Sequence, residues 1–410
     1  MGMNQWDLMG EGLEYEAAVA LLLEHTPRPK SIETLPLLDA LGRIAGADII
    51  SPISYPPFDR SPLDGYALRA QEIQFASPAA PARFTVAGKV CAGEVFPRAL
   101  LEGEALRVMT GAMLPAGCDC VIRQEDTDYG EDIVSVYAPV KPYENYCFGG
   151  GDIPLGTVLL RAGEQISFAS AGILAGVGIS QAPVYEAPKV GIICTGDELS
   201  DPGTPLAPGK IYNSNRTLLC ARLRELGVTE VANPSCPDDP KAICKGIDQI
   251  WETADLIVTT GGVSVGQRDW MRTVVDLLGA QPLFWRMRLK PGSPALCALY
   301  KGKLLICLSG NPFAALATFE LLLRPVLRRL SGMTAPVLTR KTALCQNDFP
   351  KGGCCRRFVR GIYEDQKVRI QNGNHSSSAL LLCAGCNCFV DIPAGQGPLK
   401  AGDTVSVLML

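Results

Sequence analysis

The sequence predicts a multidomain chain of the α/β class, in which a central α/β unit is joined to two smaller β-rich domains. Three observations predict it. At 410 residues the chain is long enough for several domains of roughly 100–200 residues each. Between residues 188 and 330, short apolar strands alternate with helical patterns, as they do where helices connect the strands of one sheet. At 53–146, and again beyond Gly332, short β-branched runs are separated by Gly, Pro and Asp, the punctuation of small β domains.

In chain order, the segment 14–25 (EYEAAVALLLEH) carries apolar residues at helical spacing and stops before Pro27 and Pro29, which predicts one amphipathic helix. The runs RFTVAGKV, ALRVMT, DCVIRQ and DIVSVYAPV supply the strands of the first β-rich domain. A joint follows at Phe148-Gly149-Gly150-Gly151-Asp152, and the small-residue segment 167–178 predicts a helix packed closely on a neighbour. The α/β unit has strands at 189–194, 255–260, 283–289, 296–300 and 303–308, and helices at 214–226, 239–253, 270–278 and 312–330. Pro312 suits the first turn of the last helix, where a missing N–H costs nothing. The runs RRFVRGIY, QKVRIQNG, CFVDIP and TVSVLML make the terminal β domain, and no tandem repeat is present.

Composition narrows the function. Hydrophobic residues at 47% and charged residues at 20% exclude disordered and collagen-like classes. Lys+Arg of 38 against Asp+Glu of 42 leaves no basic face for a phosphate backbone, so no nucleic-acid partner is expected. With His25 and His375 the only histidines, a His-rich metal site is excluded and acid-base work falls to carboxylates. The 16 cysteines are spread along a chain that opens MGMNQWDLMGEG, with no basic stretch leading into an apolar core, so a reduced cytoplasm is the expected compartment. The apolar stretch 166–179 falls short of the ~20 residues that span a bilayer, and no membrane partner is expected.

Three segments share one arrangement, an apolar strand running into a small-residue loop: Ile192-Ile193-Cys194-Thr195-Gly196-Asp197-Glu198, Ile257-Val258-Thr259-Thr260-Gly261-Gly262-Val263-Ser264-Val265-Gly266, and Ile306-Cys307-Leu308-Ser309-Gly310-Asn311-Pro312. In open α/β sheets ligands bind beyond the carboxyl ends of the strands, where glycine lets backbone N–H groups approach an anion. Each loop taken alone reads equally as a tight turn; three together predict convergence on one ligand. They match neither a Walker A loop nor G-x-G-x-x-G, which disfavours a P-loop NTPase and a Rossmann dehydrogenase.

A second constellation, Pro56-Pro57-Phe58-Asp59-Arg60-Ser61-Pro62-Leu63-Asp64-Gly65-Tyr66-Ala67, places two carboxylates in a Pro-punctuated loop, either as presented acids or as Asx-type turns on backbone N–H groups. Further acids stand near loops at Glu125, Asp152, Asp197, Glu198, Asp238, Asp239 and Asp269; if several meet, a hard cation such as Mg²⁺ bridging them to phosphate is their natural use. Arg286, Arg288 and Lys290 alternate on an expected strand, so all three would share one face, either solvated or receiving an anion. Cys383, Cys386 and Cys388 resemble part of a metal knuckle, but the only further pair is the adjacent Cys354 and Cys355, so buried thiols are the preferred reading. His375 reads as a loop residue.

Taken together, PPFDRSPLDGYA, RVMTGAMLPAGCDCVIRQE, GIICTGDEL, IYNSNR, TTGGVSVGQRDW, FWRMRLKPGSP and LSGNPFAALATF resemble the molybdopterin molybdotransferase family of the MoeA type, to which the carboxy-terminal part of gephyrin is also similar. The resemblance covers nearly the whole chain. It implies an elongated four-domain homodimer: a first domain split between 1–50 and 148–182, a β-rich domain inserted at 51–147, a molybdopterin-binding α/β domain at 183–330 and a small β barrel at 331–410. It also implies the last step of molybdenum cofactor synthesis, in which adenylylated molybdopterin and molybdate bind, AMP is released with Mg²⁺ present, and molybdenum enters the dithiolene. A molybdopterin adenylyltransferase and molybdoenzymes are the implied further partners.

Carried over by motif, the resemblance makes Asp59, Thr110, Asp152, Glu198, Asp239 and Asp269 the catalytic candidates, with Glu198, Asp239 and Asp269 as the metal ligands. Asp59, Thr110 and Asp152 would reach the cleft from the facing subunit. Ligand-binding candidates are Thr195, Gly196, Asp197, Gly261, Gly262, Ser264, Gly266, Arg286, Lys290, Ser309, Gly310, Asn311 and Pro312. Three departures stand out: Ser293 where the family commonly has the lysine of PGKP, Ser309 in place of the proline of LPGNP, and Gly149 to Gly151 in place of an arginine-containing joint. The rival readings are a non-catalytic pterin carrier or scaffold, an adenylyltransferase, and a tungstate-inserting relative.

Overall fold

A computed structural model describes residues 6, 9, 11–29, 31–232, 235–264 and 269–410. Its central sheet runs in the order Thr229–Ala232, Lys189–Thr195, Leu256–Thr260, Lys303–Leu308, Leu296–Tyr300, Gln281–Trp285. The first four strands are parallel and the last two antiparallel. From Lys189–Thr195 the chain goes first to one side and then to the other, so a topological switch point lies between that strand and Leu256–Thr260. Leu256–Thr260 is buried throughout, and Lys189–Thr195 at all but its first residue, because helices cover both faces of the sheet.

Alternate residues feed two cores. On one face, Val190, Ile192, Val258 and Ile306 pack with Leu219 and Leu223 of the helix Ser214–Glu225; on the other, Ile193, Ile257 and Leu305 meet Ile243 and Ile247 of the helix Pro240–Trp251. The helix Tyr15–Glu24 buries Tyr15, Ala18, Val19 and Leu22, the i, i+3, i+4, i+7 stripe that its sequence predicts. That stripe joins the first of these cores rather than that of residues 31–50, so the helix packs with the α/β unit.

The last helix is broken into Pro312–Thr318, a π-helical turn Phe319–Leu323, and Arg324–Leu330. Pro325 has no N–H to continue an α-helical ladder, and a wider turn before it is one way the chain absorbs that loss. Within the turn, Glu320 is 1% exposed and accepts from Arg222 Nε at 2.6 Å and from Arg324 at 3.0 Å.

Residues 65–136 form a five-stranded sheet ordered Cys120–Arg123, Gly65–Leu68, Glu104–Val108, Ala82–Val90, Ile133–Val136. Strands on either side of it in sequence pair with each other: Ile32–Pro36 with Gln181–Tyr185, and Ile49–Ile50 with Val158–Leu160. The helix Phe168–Gly176 lies beside them, started by a capping box at Ser167 and Ser170. The C-terminal strands close a barrel, because Arg356–Glu364 pairs with both Lys367–Ile370 and Cys388–Ile392 while Arg340–Cys345 and Thr404–Met409 complete the ring. No helix among the described residues is long and apolar enough to cross a membrane.

Glu320 yields a stability prediction. Glu320→Ala leaves the guanidinium of Arg324 buried without its carboxylate and should cost about 3–5 kcal/mol, whereas Glu225→Ala removes an exposed partner of Arg222 and should cost under about 1 kcal/mol. Urea unfolding followed by tryptophan fluorescence of the α/β unit measures both.

Candidate active site

The three strand-end loops converge at the switch point. Gly261, at φ +101°, sits so close to Thr195 that a Cβ there would lie 2.5 Å from the Thr195 carbonyl oxygen, and Gly310 packs against Gly261 in turn. Thr195 Oγ1 donates to the Thr260 carbonyl at 3.3 Å, and Asn215 Nδ2 donates to the Gly310 carbonyl at 2.8 Å. The loops enclose a cavity of about 510 Å³ lined by Thr195, Gly196, Glu198, Gly261, Gly262, Ser264, Asp269, Ser309, Gly310, Asn311 and Pro312, all expected from sequence. The expected Gly266 lies outside the described residues.

Glu198 is exposed at the mouth, its carboxylate folded over Gly196, whose φ of +152° and missing Cβ leave room for it. Two expected acids are diverted. Asp239 does not line the cavity; it caps the helix Pro240–Trp251, accepting from Ala242 N at 2.7 Å, and its neighbour Asp238 faces the cavity instead. Asp197 also stays off the lining: it ties its loop to the next, Asp238 N donating to Asp197 Oδ1 at 3.2 Å, while Lys210 donates to its carbonyl. Among the described residues no three His, Cys, Asp or Glu side chains cluster as a ready metal site; of the expected ligands Glu198, Asp239 and Asp269, the first and last line the cavity and Asp239 does not.

The expected cation face is also corrected. The strand ends at Trp285, and Arg286 takes φ +74°, which breaks the alternation that would have aligned Arg286, Arg288 and Lys290. Arg286 stacks over the Trp285 ring at 4.5 Å, and Arg288 pairs with Glu11 and Glu14. Lys290 lines a second cavity of about 480 Å³, where Lys351, Arg357, His375 and Ser293 join it and, among the described residues, no carboxylate lines the wall. Burial, with the nearby Arg360, Lys351 and Arg357, lowers the His375 ring below its ordinary 6.5 against the opposing pull of the Gln371 carbonyl.

Serines 376 to 378 separate the two cavities, with Ser378 on the first and Ser376 and Ser377 on the second. The Ser377 carbonyl accepts from the N–H groups of both Phe313 and Ala314, the free donors at the start of the last helix. Arg360, fully buried, holds this loop by donating to the carbonyls of Asn374 and Ala379 while its guanidinium covers the Phe313 ring at 3.8 Å. Sequence reasoning passed over Asp238 as a site residue and missed Asn215, Ser378 and Arg360. Pro240 at the first helical turn was the signal that Asp239 is a cap; nothing local marks Ser378 or Arg360, which arrive from the barrel.

The Asp59, Thr110 and Asp152 loops meet on one face of the 51–160 region, outside the lining of both cavities. Backbone bonds stitch them: Leu114 N to Asp59 O, Gly111 N to Ser61 O, Cys147 N to Arg60 O and Asp152 N to Tyr55 O. Asp59 accepts from Tyr146 Oη at 2.5 Å and Gly149 N at 2.7 Å; Asp64 accepts from both Thr110 N and Oγ1 at 2.7 Å. Those bonds from Thr110 hold the Asp64 carboxyl below its ordinary value. The two acids therefore fasten distant loops rather than local Asx turns. Asp152 is exposed beside them.

The models of three successive regions match this chain: the MoeA N-terminal region, domains I and II, at 13–178; a probable molybdopterin binding domain at 191–329; and the MoeA C-terminal region, domain IV, at 342–410. The chain belongs to the MoeA family. It is 35% identical to the molybdopterin molybdenumtransferase of Haemophilus influenzae, over 96% of this chain and 98% of that one, and 34% identical to that of Bacillus subtilis, over 94% and 91%. The crystal structure of a molybdopterin biosynthesis MoeA protein from Pyrococcus horikoshii OT3 superposes with a TM-score of 0.84 at 28% identity, covering 97% of this chain and 100% of that one. The multidomain MoeA fold, with its central α/β domain and closed C-terminal barrel, is thus this chain's fold.

Arg360→Ala should release the Asn374 and Ala379 carbonyls and with them the Ser377 cap. The Phe313 and Ala314 amides should then open more readily, by about 1–3 kcal/mol in hydrogen exchange, with the α/β sheet amides unchanged.

Proposed function

We propose that this chain inserts molybdenum into adenylylated molybdopterin with release of AMP, the final step of molybdenum cofactor synthesis. One observation carries the reading: a glycine-walled cavity at the carboxyl ends of the parallel strands, bordered by acids, stands next to a second cavity that Lys290, Lys351 and Arg357 line with no carboxylate among the described residues. The first suits a phosphorylated pterin, whose anhydride the loop N–H groups can approach. The second suits a tetrahedral dianion such as molybdate or tungstate, which Lys290, Lys351 and Arg357 would hold. Asn215 Oδ1, buried at the first cavity without a hydrogen-bond partner, offers an acceptor to a ring N–H of the guest.

Magnesium fits this site as a shared ion. It uses one or two carboxylates and fills its shell with water and substrate phosphate, and Glu198 and Asp269 supply that number. Bound there it would neutralise charge on the phosphoanhydride. The protein's own part is to orient the anhydride on the Gly261 and Gly310 loops and to keep the oxyanion within reach through the serine run between the cavities.

The rest of the reading is a cytoplasmic homodimer with the domain limits expected from sequence, in which Asp59, Thr110 and Asp152 of one subunit face the other's cavity. It works in sequence with a molybdopterin adenylyltransferase and with the molybdoenzymes that receive its product. The gathering of those three residues on a face apart from both cavities of their own chain favours this arrangement.

Two tests follow. Glu198→Ala and Asp59→Asn should each abolish molybdate-dependent AMP release while leaving the fold intact, the asparagine amide oxygen still accepting from Gly149 N. Mixed and re-paired, the two variants should recover roughly a quarter of the wild-type rate, because half of the dimers then hold one intact composite site. No recovery, with mixed dimers demonstrated by mass spectrometry, would refute the shared site; ligand binding without AMP release in the wild type would make the chain a carrier. Lys290→Ala should raise the molybdate concentration for half-maximal AMP release about tenfold, the loss of ~1.4 kcal/mol of binding.

A further inference from the structure

Most of the 16 cysteines are shielded: burial pushes Cys118 and Cys307 up to about 12 and Cys386 up to about 11. Cys354 is the one exposed thiol, and the half-buried Cys355 beside it brings its Sγ to 3.8 Å from that of Cys354. The pair stands at a particular place. Lys351 before it and Arg357 after it both line the cation-walled cavity, and Arg357 is in register with Lys290 across a parallel strand pair. On its other side the loop is held to the 395–396 turn by Gly395 N to Gly353 O at 2.9 Å.

We propose that Cys354 and Cys355 form a redox modification site, a vicinal dithiol that a hydroperoxide closes to a disulfide, and that this closure alters the adjoining cavity. One thiolate attacks the peroxide O–O bond, forming a sulfenic acid and releasing water or alcohol. The neighbouring thiol then displaces the sulfenic oxygen as water. Two thiols and one hydroperoxide thus give one disulfide with two electrons passed to oxygen.

Two physical reasons single out this pair. A disulfide needs two thiols in reach and one accessible to the oxidant; among these cysteines Cys354 and Cys355 combine an exposed sulfur with an immediate neighbour. Adjacent Cα atoms are only ~3.8 Å apart, below the usual ~4.4–6.8 Å span of a disulfide, so the closed ring is strained and a small thiol reopens it readily. The backbone turn that closure requires falls directly before Arg356, whose guanidinium ties the Glu16 carboxylate to Asp391, and before Arg357 of the cavity. Oxidation therefore moves a cation that the second cavity uses. This consequence rests on reading that cavity as the oxyanion's place; the thiol chemistry does not.

Peptide mapping after brief treatment of the full-length protein with hydrogen peroxide tests the site. The Cys354–Cys355 peptide should lose two mass units and resist alkylation until reduced, ahead of every other cysteine, and phenylarsine oxide should bind once per chain only in the reduced form. Cys354→Ser/Cys355→Ser should lose both behaviours while keeping AMP release. If that peptide still alkylates at both cysteines after other thiols have been consumed, the site is wrong. Calorimetry with inorganic molybdate tests the coupling: the oxidised protein should bind severalfold more weakly than the reduced, and the double variant should show no change on peroxide treatment. Equal binding in the two states overturns the coupling. Absence of molybdate binding in both overturns the coupling and the oxyanion reading of the cavity, and leaves the thiol site to the mapping result.

Discussion

The site depends on one contact between backbones, the approach of Gly261 to the Thr195 carbonyl at the carboxyl end of the sheet. Any side chain at 261 would need the space that the carbonyl occupies, and the Gly310 loop packs against the same glycine. The three strand ends can therefore close around a guest with main-chain N–H groups and hydroxyls rather than bulky walls. Parallel strands buried on both faces hold those ends in register, so the geometry of the cavity is inherited from the sheet rather than from flexible loops.

Around that contact the molecule spends charged groups as fasteners. Asp239 caps a helix, Asp197 and Asp238 join two loops, Asp59 and Asp64 stitch three loops, and Arg360 pins the serine run that divides the cavities. Each binds backbone groups that burial or a tight turn would otherwise leave unpaired. Glu198, Asp238 and Asp269 are the acids that line the cavity. The buried Glu320 does similar work in the core, where two arginines share it.

Much of this was legible along the chain. The helices at 14–25, 214–226 and 239–253 and the strands at 296–300 and 303–308 end within a residue or two of their predicted limits, because caps, prolines and periodicity are local signals. The strand expected through 289 failed at a local event, the left-handed turn at Arg286, which removed two of three expected cations from any shared face. Asp239 caps a helix, and the sequence does not distinguish that use from contact with a ligand, because a carboxylate in a loop looks alike whether it meets a ligand or an N–H.

By itself the sequence determined the family, the order of the α and β regions and the three glycine loops that border the cavity, since each is written in contiguous residues. Only the tertiary structure decided that Asp238 rather than Asp239 faces the cavity, that Lys290 shares a second cavity with Lys351 and Arg357, and that Ser378 lines the first cavity on a loop held by Arg360. Those facts come from the barrel docking on the α/β unit and from hydrogen bonds between segments far apart in the chain. Periodicity and spacing report on neighbours within a few residues, and carry no record of which distant carbonyl or carboxylate a side chain will find.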